Sequence, residues 1–151
     1  MSTVELWNNY VTAREALIEG KRIRSYRSPT TDFAEWIVSK MLNGVICDNK
    51  VYPLYDVDVK ESKMKIQVKS IARHYSNHNG KTLTEKDFDN KEANYYAFVY
   101  FDKLQPKEFF LIPQHRLIEV CKPKSRITRN HLTTAVTNEI ATKMEINLKE
   151  L

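Results

Sequence analysis

Asp56, Gln67 and Lys69 are the residues of this chain whose types and spacing best suit chemistry: an acid, an amide and an ammonium. They lie in Tyr55-Asp56-Val57-Asp58-Val59 and Ile66-Gln67-Val68-Lys69-Ser70, and both segments alternate apolar and polar residues with a period of two. A hairpin turning between Glu61 and Ser62 sets Asp56 opposite Gln67 and Val57 opposite Ile66. Tyr55, Val57, Val59, Ile66 and Val68 then share one face, and Asp56, Asp58, Gln67 and Lys69 share the other. The Asp56 carboxylate, the Gln67 side-chain oxygen and the Val68 carbonyl are hard donors of the kind that Mg²⁺ takes. Lys69 is a point charge suited to stabilising developing negative charge or to positioning a water. Cleavage of a phosphodiester asks for such a set, because a metal ion there activates water and neutralises charge on the phosphate. The plain alternative is the solvated face of an amphipathic hairpin, with Asp58 paired to Lys65 across the strands.

Other elements must position that hairpin. Val4 to Ile18 carries apolar residues at helical spacing and ends at Gly20. A second helix, Phe33 to Asn43, is capped by Thr31 or Asp32 and closed by Gly44. It brings Glu35, which can join the cluster directly or through water, although Asp32-x-x-Glu35 is also a capping-box spacing. Val45 to Pro53 reads as a short strand or a loop, and Arg73 to Asn94 as a long polar loop with at most a short helix. Tyr95 to Phe101 is a near-continuous apolar run, as in a strand buried on both faces. Phe109 to Ile112 is another strand, with Pro106 marking the turn before it. Gln114 to Val120 suits a short helix. The tail from His131 to Met144 has Leu132, Ala135, Val136, Ile140 and Met144 at helical spacing. This order predicts an α/β sandwich.

With 151 residues, of which 42% are hydrophobic and 28% charged, the chain suits one globular domain spanning 1–151. No apolar stretch approaches the roughly 20 residues that cross a bilayer, so no membrane partner is expected. Met1 to Tyr10 lacks a signal-peptide pattern. Cys47 and Cys121 read as reduced thiols of a cytoplasmic protein. No Gly-rich phosphate loop is present, so no nucleotide cofactor is expected. Lys21, Arg22, Arg24 and Arg27 cluster around Tyr26, and Lys122, Lys124, Arg126 and Arg129 form a second basic run. Such runs suit a polyanion by counterion release, and either alone also reads as a solvated surface. His74 and His78 lack a companion Cys or His cluster, which favours a DNA-facing loop over a zinc site. Trp7 and Trp36 are expected in the core, as are Tyr95, Tyr96 and Tyr100.

Asp56 with Gln67-Val68-Lys69-Ser70, preceded by Asp32-Phe33-Ala34-Glu35-Trp36, resembles the restriction-endonuclease-like superfamily of PD-(D/E)xK nucleases. Small members share an N-terminal helix, a basic loop and a helix bearing an acid, and Arg27 to Glu35 looks like that junction. The later strands extend the likeness over roughly residues 4 to 120. Tyr55 replaces the usual proline before the aspartate. Gln67 replaces the usual acid, a QxK variant that resembles some members, including a transposon-end-cleaving nuclease. A glutamine keeps an oxygen ligand but removes a negative charge.

The resemblance implies an α/β restriction-endonuclease-like fold, a mixed β-sheet of about five strands flanked by α-helices. It implies a divalent-metal-dependent DNA endonuclease of restriction type, using Mg²⁺ with Mn²⁺ as a substitute. Asp56, Gln67, the Val68 carbonyl and Glu35 would hold the metal, and Lys69 would be the electrostatic group. Lys21, Arg22, Arg24, Arg27, Ser70 and Arg73 would contact DNA, with base readout in the loop from Arg73 to Lys91. The expected setting is the cytoplasm of a prokaryote or a phage-infected cell. A homodimer is expected for double-strand cleavage, with the apolar tail helix from Leu132 to Leu148 as a candidate surface and packing on its own sheet as the equal alternative. Two alternatives stay open. One is a catalytically weak DNA- or partner-binding module of the same fold. The other is a structure-selective nuclease, a junction resolvase or a nicking subunit for transposition or repair.

Overall fold

Ser2 starts the first helix, α1 (Thr3–Glu19). Its hydroxyl accepts the Glu5 N–H at 3.2 Å while the Glu5 carboxylate accepts the Ser2 N–H at 2.6 Å, a reciprocal capping box. The computed structural model describes residues 1–20, 29–47, 54–73 and 80–151. No residue of α1 is buried, and Trp7 is 63% exposed. The expectation of a core tryptophan there is corrected. Helical spacing fixes which face of a helix is apolar, and it does not supply the surface that covers the face. Arg14 also falls on that face, its guanidinium 5.9 Å from the centre of the Tyr10 ring.

The second helix, α2 (Pro29–Met41), starts earlier than expected. Proline at the first helical position has its φ already set and needs no N–H partner, so Thr31 and Asp32 lie inside the first turn rather than capping it. Asp32 complements the helix dipole from that position. Ala34, Val38 and Ile37 are fully buried, and Trp36 stacks on Phe33 at 5.6 Å. The chain leaves α2 through Asn43, which takes the left-handed φ of 56°. Gly44 serves a different need: a Cβ there would lie 2.8 Å from Val57 Cγ1, so its bareness lets the helix end sit on the strand beneath.

Beyond α2 come β1 (Val45–Ile46), β2 (Val57–Val59) and β3 (Met64–Arg73), then β4 (Lys81–Thr82) and α3 (Glu85–Phe88) in the crossover. They are followed by β5 (Tyr95–Asp102), β6 (Gln105–Pro113), α4 (Leu117–Val120), β7 (Arg126–Ile127), α5 (Arg129–Thr137) and β8 (Thr142–Glu145). Among the described residues the main sheet has six strands in the order β1-β2-β3-β5-β6-β8, and β4 pairs with β7 in a separate two-stranded ribbon. Among the described residues only β3 and β5 run parallel within the main sheet, so it is mixed and mostly antiparallel.

Two expectations change here. Pro106 is not in the turn: Lys103 and Leu104, with φ of 51° and 67°, make a two-residue turn of the mirror-image type that matches strand twist. Pro106 lies within β6 opposite Phe101, beside a register shift that leaves Lys107 as the extra residue. A bulge is where a strand tolerates proline. The tail is also not one helix. α5 ends at Thr137, Glu139 turns through a φ of 61°, and Met144 pairs with Phe109 in β8. Ile140 and Met144 are four apart, a spacing common to a helix and a strand, so periodicity alone could not separate them. The continuous tail helix offered as a dimer surface therefore does not exist.

Alternation along the strands sorts the core into two layers. Ile66, Val68, Val99 and Phe109 pack with Ala34 and Val38 of α2. Ile71, Tyr96, Phe98, Phe110 and Ile112 pack on the other face with Leu117, Leu132 and Leu83. Each fully buried Phe or Ile contributes about 2 kcal/mol relative to exposure. In β3, Gln67 and Lys69 alternate with Ile66 and Val68, so they emerge on the face of Ile71, opposite α2.

Candidate active site

The antiparallel pairing of β2 with β3 runs from Val59–Met64 to Val57–Ile66, the register expected from the alternation. Asp58 stands opposite Lys65. At Asp56 the pairing stops: its N–H still donates to the Ile66 carbonyl at 2.7 Å, while its own carbonyl accepts from Cys47 N–H at 2.9 Å, toward β1. The next N–H on that edge of β3 belongs to Val68, and the Asp56 carboxylate takes the place of the departed strand, accepting it at 2.9 Å through Oδ2. Asp56 is only 7% exposed, so the bond fixes a buried carboxylate at the point where the sheet splays. The N–H and C=O of one strand residue point to the same side, so the Val68 carbonyl faces this same edge.

Gln67 adds a neutral oxygen. Its Oε1 is buried and accepts no hydrogen bond. Leaving such an atom unpaired costs about 1–3 kcal/mol, and an unpaired buried acceptor in a native site calls for an explanation. By chemical type a carboxylate, a side-chain amide oxygen and a backbone carbonyl are donors that a small divalent cation takes. No group of three or more His, Cys, Asp or Glu residues at metal-holding distance occurs among the described residues. A cation held here would rely on the amide and carbonyl oxygens.

Lys69 is not left to solvent. Its ammonium lies 3.3 Å from Asp87 Oδ1, and Asp87 is itself buried. The same Oδ1 accepts the Tyr96 hydroxyl at 2.9 Å, and Tyr96 OH accepts from Asn90 Nδ2 at 3.2 Å. Gln67 and Tyr96 are register partners in the parallel pair β3–β5, so the two residues lie side by side on neighbouring strands. Burial pushes the Tyr96 phenol far above its ordinary range. The Asn90 hydrogen bond opposes this, while the charge and hydrogen bond of Asp87 and then the charge of Asp56 add to it. Burial, and secondarily Asp87, also raise the Cys121 thiol. Cys47 and Cys121 are both free thiols.

The remaining expected residues fall as follows. Glu35 is 4% exposed on α2, which packs against the face of the sheet opposite Gln67 and Lys69. Ser70 is on the α2 side, its hydroxyl 3.2 Å from Thr31 Oγ1. Arg73 ends β3 opposite Asp102. Lys21, Arg22, Arg24 and Arg27, with His74 and His78, lie outside the described residues.

Sequence reasoning missed Asp87, Asn90 and the role of Tyr96. Thr84-x-x-Asp87 is a capping-box spacing, and the Thr84 N–H does donate to Asp87 Oδ2 at 2.9 Å. That signal could have located α3, but not the partner of its free oxygen eighteen residues back in the sequence.

No protein-family model matches the chain, and no curated protein matches it either.

Proposed function

We propose that this protein is a divalent-metal-dependent endonuclease that hydrolyses DNA phosphodiester bonds, with a restriction-endonuclease-like arrangement of its active site. The observation that supports it most is the Asp56 carboxylate fastened to Val68 N–H where β2 leaves β3, with the preceding residue, Gln67, holding a buried, unpaired oxygen. Asp56, Gln67 Oε1 and the Val68 carbonyl would hold Mg²⁺ or Mn²⁺. When bound, the ion supplies activation of water and charge neutralisation at the phosphate. The chain's own work is positional and electrostatic. The hydrogen bond from Val68 holds the carboxylate in one orientation. The Lys69 ammonium faces the charge that develops on the phosphate oxygens. Glu35, approaching from the α2 side, is assigned an outer contribution through water. The basic residues from Lys21 to Arg27, with Arg73, are assigned to the DNA backbone. Double-strand cleavage with one site per chain calls for two copies, which sedimentation with and without DNA tests.

The test is cleavage of supercoiled plasmid and of a branched junction with Mg²⁺ or Mn²⁺. Metal-dependent cutting that falls by more than about a hundredfold in folded Lys69→Ala and Asp56→Ala supports the reading. Preference for the junction identifies a structure-selective nuclease. A second reading, a DNA- or partner-binding module, is favoured by the neutral Gln67 and by the engagement of Lys69 with Asp87. DNA affinity without any cutting by the folded wild type selects it.

A further inference from the structure

Asp87 sits on α3 in the crossover between β3 and β5, and both of its oxygens are committed within the chain. Oδ1 accepts from Tyr96 OH at 2.9 Å and lies 3.3 Å from Lys69 Nζ. Oδ2 accepts from Thr84 N–H at 2.9 Å, with the Thr84 hydroxyl at 3.5 Å. Its backbone carbonyl accepts from Gln114 Nε2 at 3.1 Å, tying α3 to the end of β6. A carboxylate so occupied is not a free metal ligand. It is, however, the acid that meets Lys69, on the face where Gln67 carries no charge.

We propose that Asp87 is a positioning residue for Lys69 and supplies to the site the negative charge that Gln67 does not carry. A lysine has a flexible four-carbon stem, and its ammonium explores many rotamers unless something holds it. Asp87 is itself held by Tyr96, by Thr84 and by the tie from Gln114, so Lys69 is ordered before any substrate arrives. Pre-ordering of this kind is what makes a charged group effective in a reaction. The proposal rests on the nuclease reading for its catalytic part, and on the geometry alone for the hold on Lys69.

Asp87→Asn separates this role from capping. The amide oxygen can still accept the Thr84 N–H, so α3 keeps its cap, while the charge facing Lys69 is gone. In the full chain with saturating Mg²⁺, kcat is expected to fall about tenfold to a hundredfold, with KM for DNA unchanged within about twofold. In a Lys69→Met background the same change is expected to alter kcat by no more than about twofold, because the group it positions is absent.

The hold on Lys69 is read without catalysis, by acetylating the folded protein with acetic anhydride and quantifying modification by mass spectrometry. The exposed Lys149 is the internal reference. Asp87→Asn is expected to raise the relative labelling of Lys69 by about threefold or more, as its ordered contact is lost. Unchanged labelling overturns the proposal, and so does raised labelling with an unchanged kcat. A wild type that cuts no DNA, with labelling that still rises in Asp87→Asn, overturns the nuclease reading and supports the hold on Lys69.

Discussion

Gln67→Glu tests whether the orphaned oxygen lines a cation site, because the two conditions of the experiment push in opposite directions. Without metal, the substitution adds a buried charge next to Val68, whose N–H holds the Asp56 carboxylate. Neighbouring side chains on one sheet face are about 5 Å apart, and two unit charges at that separation repel by roughly 3 kcal/mol at an effective dielectric near 20. Lys69, two residues along the same face, offsets part of this, leaving a cost of about 1–2 kcal/mol. For a chain of this size that lowers Tm by roughly 3–6 °C. The cost exists only while the new carboxyl is ionised. It should therefore be present at neutral pH and fade as pH falls toward about 4, below which the neutral glutamic acid is nearly isosteric with glutamine.

With Mg²⁺ the sign reverses. A full negative charge on the ligand is expected to tighten the site by tenfold or more, and each factor of ten contributes about 1.4 kcal/mol at saturating metal. Thermal melts of both proteins, with chelator and with millimolar Mg²⁺, provide the comparison. The expected pattern is a variant less stable without metal whose deficit closes or inverts with it. Equal Mg²⁺ responses in wild type and variant would refute the assignment of Gln67 Oε1 to a cation site.

Two further outcomes follow from the same geometry. Tyr96 has its phenol raised by burial, so in an alkaline absorbance titration compared with Tyr96→Phe the Tyr96 phenol should stay protonated beyond the ordinary tyrosine range. Its folded pKa lies above the unfolded value, so its contribution is intact below pH about 10 and is lost as pH rises further; Tyr96→Phe should flatten that loss and cost about 1–2 kcal/mol at neutral pH, read by urea unfolding. Gly44→Ala would place a methyl 2.8 Å from Val57 Cγ1 and 3.1 Å from the Asp58 carbonyl, forcing α2 off β2. A loss of about 1–3 kcal/mol is expected, and the proposed cleavage should drop with it, because Asp56 immediately precedes β2.

The hairpin was legible because two independent local signals agree on it. Alternation in both segments permits one register that buries Val57 and Ile66 together, and β2 and β3 adopt that register. β5 was legible from composition alone, since a run such as Tyr95 to Phe101 has nowhere to go except between two packed layers. Elements failed where a local pattern was degenerate. Residues four apart satisfy a strand as well as a helix, so β8 was hidden in a helical reading. The 103–104 turn carries no glycine, and without one the proline nearby looked like the better corner. α1 shows the opposite limit: its apolar face was read correctly as a face, yet no residue of the helix is buried, because packing is decided by surfaces distant in sequence.

The candidate site divides in the same way, and the division bears on how Gln67 should be understood. Asp56, Gln67 and Lys69 belong to one hairpin segment, so sequence spacing could find them. Asp87 comes from the crossover and meets Lys69 only because β5 lies parallel to β3 and sets Tyr96 beside Gln67. Judged on the hairpin alone, glutamine in the place of an acid looks like a loss of charge. Judged on the fold, a buried carboxylate from another element already faces the lysine of the motif. Gln67→Glu would therefore add a further acid to a site that holds two, which is why its cost without metal, rather than its gain with metal, is the more discriminating half of the experiment. A variant that costs nothing without metal would mean that Asp56 and Asp87 do not act on the position of Gln67, and the charge argument for both residues would fall together.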